Sequence, residues 1–367
     1  MAHLFESGFF IGEAPWHGLG NVVPADTRYN VADGIIAAGL NWDVYTRPCG
    51  YQTANGMTIP MEDVTDKKGN KIGERPRNVF TCRRMLTALE DGTTQEQEQV
   101  LGCVGGTYEV FQNAEMFDWF QPYLESGEAS LHTAGSLNKG RWVWALAKLN
   151  RPAVEIVPGD FIEKFLLLSS SHDGSQALRI GFTPIRVVCA NTLALAVHDK
   201  RSNLLRLKHT KMLHATLDDV HDIVNLMDAG FEATAEQFRL LASRKVVNRK
   251  DLERYVIRVM TENEPEMEDG QWKLSTKMRN IIFGTDGRLG IIDRITSKAN
   301  SLPGVEGTWW GCYNSLTEHL TWAYGGEGGD KITTTDKANN RLSALWFGKN
   351  LGVNQQALAV AVEMSAA

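Results

Sequence analysis

The sequence contains one trio of residues whose types and spacing suit a metal ion. In KMLHATLDDVHDIV, His214, Asp218 and His221 are spaced i, i+4 and i+7, which places them on one face of a helix. Imidazole and carboxylate groups in this arrangement can hold a divalent metal and serve a hydrolase or nuclease. The alternative is a solvated or interhelical polar face, and it is favoured because no obvious general base or nucleophile lies nearby in the sequence.

A second set of reactive residue types is the run Ser169–Asp173. Serine, histidine and aspartate are the members of a catalytic triad, but a triad is recognised by its geometry in space rather than by adjacency. Here the run leads from a predicted strand into His172-Asp173-Gly174, whose residue types favour a turn.

The sequence also has no GxxxxGK[ST] motif and no GxGxxG between a strand and a helix, so ATP-driven strand exchange is not expected.

Three clusters of basic residues give a more consistent pattern. Lys67–Arg84 contains seven Lys or Arg against one Glu, Lys200–Lys211 has five and no acid, and Arg239–Arg258 has seven against two acids. In a chain of net charge −6, this segregation predicts a positive surface that can neutralise phosphates. The alternative is three solvated faces that are paired with carboxylates.

Aromatic residues accompany one predicted strand. In RWVWALAK, period-two alternation puts Trp142, Trp144, Leu146 and Lys148 on one face. Such a face can be a stacking platform for single-stranded bases, although two tryptophans on one strand face are more often core.

Arg186 stands in the first turn of a predicted helix. Thr183 and Pro184 have the types of an N-cap and a first helical residue, and apolar residues follow at helical spacing. The helix dipole disfavours a cation there. Either Arg186 and the free backbone N–H groups bind an anion, or Arg186 pairs with a buried carboxylate such as Asp160 or Asp173.

Two predicted hairpins must position these residues. Ala129–Leu149 turns at Asn138-Lys139-Gly140, and Asp160–Phe182 turns at His172-Asp173-Gly174. A strand and a helix capped by Asn113 precede them, and the helix that begins near Thr183 follows. This order predicts an α+β fold with an antiparallel sheet.

Patterning divides the chain into four segments. We expect an irregular N-terminal region over 1–100, an α+β core over 101–200, a basic helical segment over 201–261 and a smaller α+β region over 271–367. The acidic stretch Glu262–Gly270 reads as a linker between the last two.

Composition sets broader limits. Hydrophobic residues make up 43% and charged residues 22%, as in ordinary soluble globular proteins. The five cysteines are scattered and form no CxxC, which disfavours a zinc site or a disulfide scaffold. With no signal-length start and no run of eighteen apolar residues, the sequence predicts a cytoplasmic protein without a membrane association.

Several motifs resemble one known family in the expected order. They are APWHGLGNVV, AAGLNWDV, VGGTYEVFQN, SSSHDGSQAL, TPIRVVCANTLALAV, LKHTK, GTWWGCYNSLTEHLTW and RLSALWFGKN. They resemble the phage/plasmid-like proteins that carry domain of unknown function 932. More remotely, the order of elements followed by basic segments is similar to the Rad52-like single-strand annealing proteins, which form rings and hold DNA by its backbone without ATP.

These resemblances and the basic clusters lead to one expected function. It is ATP-independent binding and annealing of single-stranded DNA in phage or plasmid recombination, by a homo-oligomeric ring or filament in the bacterial cytoplasm, without a cofactor and without catalysis. A phage exonuclease or a host single-strand-binding protein is a further expected partner. The residues expected to bind DNA are Arg179, Arg186, Lys200, Arg201, Arg206, Lys208, Lys211, Trp142 and Lys148. The alternatives are the metal-dependent enzyme and a non-catalytic protein that blocks a host defence.

Overall fold

The computed structural model describes most of the chain, and its described part forms two compact units. The described residues are 5–12, 20–88, 94–186, 191–192, 205–246, 248–285, 288–296, 304–318 and 349–366. The first unit comprises Met1–Ala147, Leu167–Ile180 and Leu205–Asp222. The second comprises Lys148–Leu166, Gly181–Leu204 and Ile223–Ala367. The division into four segments predicted from the sequence stays a prediction.

The first hundred residues, expected to be irregular, contain regular strands. The elements are β1 (Phe5–Ile11), β2 (Asn21–Val23), α1 (Val31–Ala37), β3 (Val44–Pro48), β4 (Tyr51–Thr53), β5 (Gly56–Thr58), β6 (Met61–Thr65), β7 (Lys71–Pro76), β8 (Asn78–Ala88) and β9 (Thr94–Gly105). The residues of strands such as β7 (KIGERP) and the TQEQEQ start of β9 are mostly exposed. Hairpin pairing holds them, and they bury no apolar face that a periodicity could reveal.

Neighbouring strands of this region form small antiparallel sheets. β3, β8 and β9 make one sheet in that order, β4 pairs with β5, and β6 pairs with β7. The sequence patterns of Val31–Leu40 and Asn41–Pro48 predict a short helix and a strand, and the structure has α1 and β3 there.

Both predicted hairpins are confirmed. The middle of the chain contains α2 (Asn113–Glu125), β10 (Ala129–Leu137), β11 (Trp142–Leu149), β12 (Val154–Val157), β13 (Asp160–Ser171), β14 (Leu178–Arg186), β15 (Asn191–Thr192) and β16 (Leu205–Leu207). Their nine-stranded sheet has the order β15-β14-β13-β11-β10-β1-β2, with β12 on β13 and β16 on β14. Asn138, Lys139 and Gly140 all have positive φ in the first turn, the backbone that connects adjacent strands most tightly. The cap of α2 is Gln112, one residue before the predicted Asn113.

The helix predicted from Thr183 is wrong where the structure describes it. β14 runs through Arg186, and its end pairs antiparallel with β15, with Ile185 opposite Thr192 and Arg186 opposite Asn191. The segment is rich in β-branched residues, whose side chains pack well on a strand, and this preference outweighs the cap-like Thr183-Pro184 pair. Residues 187–190 and 193–204 lie outside the described residues.

The remaining elements are mainly helical. They are α3 (Leu213–Ser243), α4 (Arg249–Thr261), β17 (Met267–Glu268), β18 (Gln271–Trp272), α5 (Thr276–Phe283), β19 (Gly284–Thr285), β20 (Arg288–Leu289), α6 (Ile291–Thr296), α7 (Trp309–Glu318) and α8 (Lys349–Ala366). α3 and α4 lie within the segment 201–261 that is expected to be helical, and the strand β16 lies near its start. Among the described residues, no helix is both long and apolar enough to cross a membrane. Together, these helices and sheets give the chain a mixed α+β fold with several antiparallel sheets.

Candidate nucleic-acid interface

In each of the first and third basic clusters, four of the seven cations form ion pairs with carboxylates of the described residues. The first contains ion pairs of Lys71 with Asp63 and Glu74, Arg75 with Glu62, Arg83 with Glu6, and Arg84 with Glu96. The third contains ion pairs of Arg239 with Glu236, Arg249 with Glu253, Arg254 with Glu264, and Arg258 with Glu264 and Glu363. Most of these cations have a carboxylate neighbour and are poorly placed to attract a phosphate.

The second cluster differs because two of its members face each other across a strand pair without a carboxylate. Arg179 of β14 lies directly opposite Arg206 of β16 in the antiparallel ladder. Leu178 and Leu207, the next pair in register, are buried, so the two arginines point to the other face of the sheet. Like charges directly opposite in a sheet destabilise it.

Arg179 also has an incomplete set of hydrogen bonds. Its Nε is buried and has no hydrogen-bond partner. Burial, together with the charge of Arg206, lowers the pKa of Arg179, which means that its surroundings disfavour the positive charge. An anion bound at this face would reduce both the repulsion between the two arginines and the cost of keeping the Arg179 charge in buried surroundings.

Two lysines extend the positive surface beyond β16. Exposure alternates along the chain after the strand: Leu207 and His209 are buried, whereas Arg206 and Lys208 are exposed. Lys211, two residues after His209, is exposed as well. No carboxylate of the described residues pairs with these cations. We call Arg179, Arg206, Lys208 and Lys211 the basic edge.

Buried polar residues hold the chain beneath the basic edge, and sequence reasoning did not identify them as a group. His209 Nδ1 lies 3.0 Å from the Glu109 carbonyl oxygen, and its Nε2 lies 3.3 Å from Ser170 Oγ. Because a carbonyl only accepts, Nδ1 carries the proton and Nε2 accepts from the serine. The ring stacks on Tyr108 at 4.6 Å between centroids. The sequence signal that could have identified this group is the alternation of LRLKH, in which leucine and histidine take the buried positions and arginine and lysine the exposed ones.

His172 of the second hairpin turn is held in the same unit. Its Nε2 lies 2.9 Å from Asn113 Oδ1, while Asn113 Nδ2 donates to the carbonyls of Leu40 and Trp42. These two carbonyls fix the amide orientation, so His172 donates through Nε2 and its buried Nδ1 has no partner. Burial, aided by the charges of His209 and Arg83, lowers the pKa of His172 to about 3. His172 is therefore neutral and structural.

The two residues predicted on β11 have other partners. The half-buried Trp142 donates from Nε1 to Ser175 Oγ at 2.9 Å, which anchors its indole at the second turn. Trp144 is fully buried, as the core interpretation predicted. Lys148 forms a 2.6 Å ion pair with Glu163, so its charge is already compensated.

Other predicted site residues are only partly described. Lys200 and Arg201 lie outside the described residues, as do the side chains of Arg186, Asp218 and His221. Of the alternatives for the Arg186 partner, Asp160 accepts from Trp310 Nε1 at 2.8 Å and Asp173 accepts from Ser175.

His214 of the predicted metal trio does have a described neighbour. Its Nδ1 lies 3.4 Å from Glu115 Oε1. The described part of the chain contains no group of three side chains that could hold a metal ion. The metal-dependent alternative, which needs Asp218 and His221, stays a prediction.

Comparison with known proteins gives one match. The family described as Domain of unknown function (DUF932) matches residues 100–346, which is more than half of the chain and includes the whole basic edge. No curated protein and no solved structure matches the chain. What the site does must therefore be argued from its chemistry.

Proposed function

The chain belongs to the DUF932 family, which is defined by a domain of unknown function, and for this member we propose ATP-independent binding and annealing of single-stranded DNA. The observation that carries the proposal is the basic edge. It is a group of four cations that form no ion pair with the described carboxylates, where β16 pairs with β14 in the nine-stranded sheet. We place the activity in phage or plasmid recombination, as the sequence resemblance suggests.

A nucleic-acid backbone fits the basic edge better than an isolated small anion does. Arg179 and Arg206 lie directly opposite each other on adjacent strands, and the shape and charge of their guanidinium groups suit phosphate oxygens. Lys208 and Lys211 continue the positive charge along the chain, as a row of phosphates requires. Such contacts depend on charge and not on base identity, so they would hold any sequence.

The proposal includes stacking and assembly. We propose that Trp142 stacks on an unpaired base, since its indole is half-buried and anchored by Ser175. We also propose a Rad52-like core that assembles into rings or filaments. That likeness now rests on β9, α2 and the two hairpins, because β14 replaces the start of the final helix on which it also relied.

Binding and annealing can be measured directly. The full chain is titrated against a fluorescent single-stranded oligonucleotide in EDTA without nucleotide, over a range of salt concentrations, and annealing of two complementary strands is followed by quenching. We expect binding that weakens steeply with salt and annealing without ATP. Absence of binding at low salt contradicts the proposal. Cleavage that needs a divalent metal and is lost in His214→Ala supports the metal-dependent enzyme instead.

A pair of matched variants tests the site. Arg206→Ala/Lys208→Ala removes two exposed charges from the basic edge, and Arg249→Ala/Arg254→Ala removes two from the neutralised third cluster. Each lost single-strand phosphate contact lowers the salt slope by about 0.7, which is roughly a fivefold loss at 0.1 M salt. We expect about a 25-fold loss for the first variant and less than twofold for the second. Equal losses contradict the assignment of the site.

Oligomeric state is tested separately. Mass photometry of the full chain, with and without oligonucleotide, should show discrete assemblies larger than one 40.8 kDa chain. A monomer under both conditions contradicts the ring or filament and leaves DNA binding to be judged by the titration.

A further inference from the structure

Two of the five cysteines lie side by side at the surface of the first unit. The Sγ atoms of Cys49 and Cys103 are 3.8 Å apart. Cys49 directly follows β3, and its amide donates to the Asn78 carbonyl at 3.0 Å. Cys103 lies on β9 opposite Phe80 of β8. The pair therefore brings the end of β3 next to β9 at the surface of the sheet that β3, β8 and β9 form.

Their accessibility sets them apart from the other described cysteines. Cys103 is exposed and Cys49 is half-exposed, whereas Cys82 and Cys312 are buried. Burial raises the pKa of Cys312 to about 12, so that thiol is inert as well as shielded.

We propose that Cys49 and Cys103 are a modification site, at which a low-molecular-weight disulfide oxidises the two thiols to a reversible intrachain disulfide. The bond length of about 2.05 Å requires the sulfurs to approach by about 1.8 Å. Cys49 lies beyond the ladder of β3 and is followed by Gly50, so the chain there can follow the movement. The proposal is independent of DNA binding.

The chemistry proceeds by two thiol–disulfide exchanges. The Cys103 thiolate attacks one sulfur of the small disulfide, and the other sulfur leaves as a thiolate that takes up a proton. The Cys49 thiolate then attacks the Cys103 sulfur and displaces a second small thiol. The two protein thiols lose two protons and two electrons, and the small disulfide is reduced to two thiols.

Conditions for the first exchange follow from the surroundings of Cys103. Burial and, to a smaller extent, the contact with Cys49 raise the pKa of Cys103. Little thiolate is present at neutral pH, so oxidation accelerates as the pH rises.

The disulfide would tie down the segment that contains β4 to β7. This segment leaves the sheet after Cys49 and returns at Asn78. It exposes large apolar side chains, including Met57 and Ile72, each at 66% exposure. Closing the chain between Cys49 and Cys103 removes freedom from the unfolded segment and slows its opening.

Thiol titration of the full chain after denaturation tests the proposal. Treatment with glutathione disulfide should remove the free thiols of Cys49 and Cys103, and dithiothreitol should restore both. Peptide mapping should identify one crosslinked species that contains Cys49 and Cys103. Limited proteolysis within residues 50–77 should slow several-fold in the oxidised protein.

Single variants separate this outcome from nonspecific oxidation. Cys49→Ser should trap one glutathione on Cys103, because the resolving thiol is absent. The wild-type chain should retain none. Melting of each reduced variant shows that the fold is kept. Five remaining thiols in the treated wild type, loss that maps to another cysteine, or dimers on a non-reducing gel would each overturn the proposal.

Discussion

Two regions of this chain have similar basic sequences and different electrostatic environments. The segment Arg239–Arg258 has seven basic residues, but four of its arginines pair with glutamates, one as far along the chain as Glu363. The basic edge has fewer cations, and none pairs with a carboxylate in the part of the chain that the structure describes. The number of positive residues is therefore a poor guide to a phosphate site, and the carboxylates around them decide.

The largest expected effect comes from reversing charge in both regions. Arg206→Glu/Lys208→Glu should weaken oligonucleotide binding about 100-fold at 0.1 M salt, because two contacts are lost and two repulsions are added. Arg249→Glu/Arg254→Glu changes the same number of charges in the neutralised segment and should change the dissociation constant by less than threefold. Fluorescence anisotropy measures both. A comparable loss in the two variants would mean that net charge, and not the basic edge, governs binding.

A second difference between the regions is their response to mild acid. The pKa of His172 is about 3 in the folded chain and about 6.5 when unfolded, so only the unfolded chain gains a proton between these values. The free energy of unfolding should therefore fall by about 2 kcal/mol from pH 7 to pH 5. His209, whose pKa burial also lowers, adds to the loss.

The neutralised segment should be stable over this pH range. The ion pair with Arg258 lowers the pKa of Glu363, so its contribution is lost only at more acidic pH. Hydrogen exchange, corrected for intrinsic rates, should accelerate at pH 5 in β13, β14 and β16 but not in α4. His172→Gln should be less stable at pH 7 and show a flatter pH dependence. Unchanged exchange beneath the basic edge would contradict the assigned neutral state.

Local chemistry explains which features the sequence could predict. Asn138-Lys139-Gly140 forms a turn of positive φ that its Asn and Gly favour, and Asn248 caps α4 with its side chain, which accepts from the Asp251 amide at 3.0 Å. Both signals lie within a few residues. The interpretation of Thr183-Pro184 used signals of the same kind and was wrong, because pairing with β15 favours an extended chain there.

Long-range pairing explains what the sequence could not predict. Arg83 pairs with Glu6 and Arg258 with Glu363, at separations of 77 and 105 residues. No local pattern reveals such partners, so the sequence could identify three basic clusters but not which of them is neutralised. The cross-strand position of Arg179 and Arg206 likewise depends on a register that only the folded sheet sets.

A smaller effect separates binding from stability at one position of the basic edge. Arg179→Met removes a cation that lies opposite another and whose Nε has no partner, and it keeps an unbranched side chain. The free energy of unfolding should rise by about 0.5 kcal/mol. DNA affinity should fall about fivefold and the salt slope by about 0.7. Denaturant titration and anisotropy on the same preparation check both, and a loss of stability would assign Arg179 to the fold.

The smallest expected effect is a gain in the neutralised region. Glu264 pairs with both Arg254 and Arg258 and is half-exposed, so Glu264→Gln releases the guanidinium group of Arg254 with little change in shape, while Arg258 keeps its pair with Glu363. The stability of the protein should change by less than about 1 kcal/mol, as for other exposed pairs. If ion pairing with carboxylates is what prevents this segment from binding DNA, oligonucleotide affinity should rise two- to threefold, most clearly at low salt. Glu268→Gln removes an exposed carboxylate from the nearby β17 that has no ion pair in the described structure, and it should produce a smaller gain. Equal gains in the two variants would show that the segment responds to overall charge alone, and the contrast between the two regions would then lose its basis in pairing.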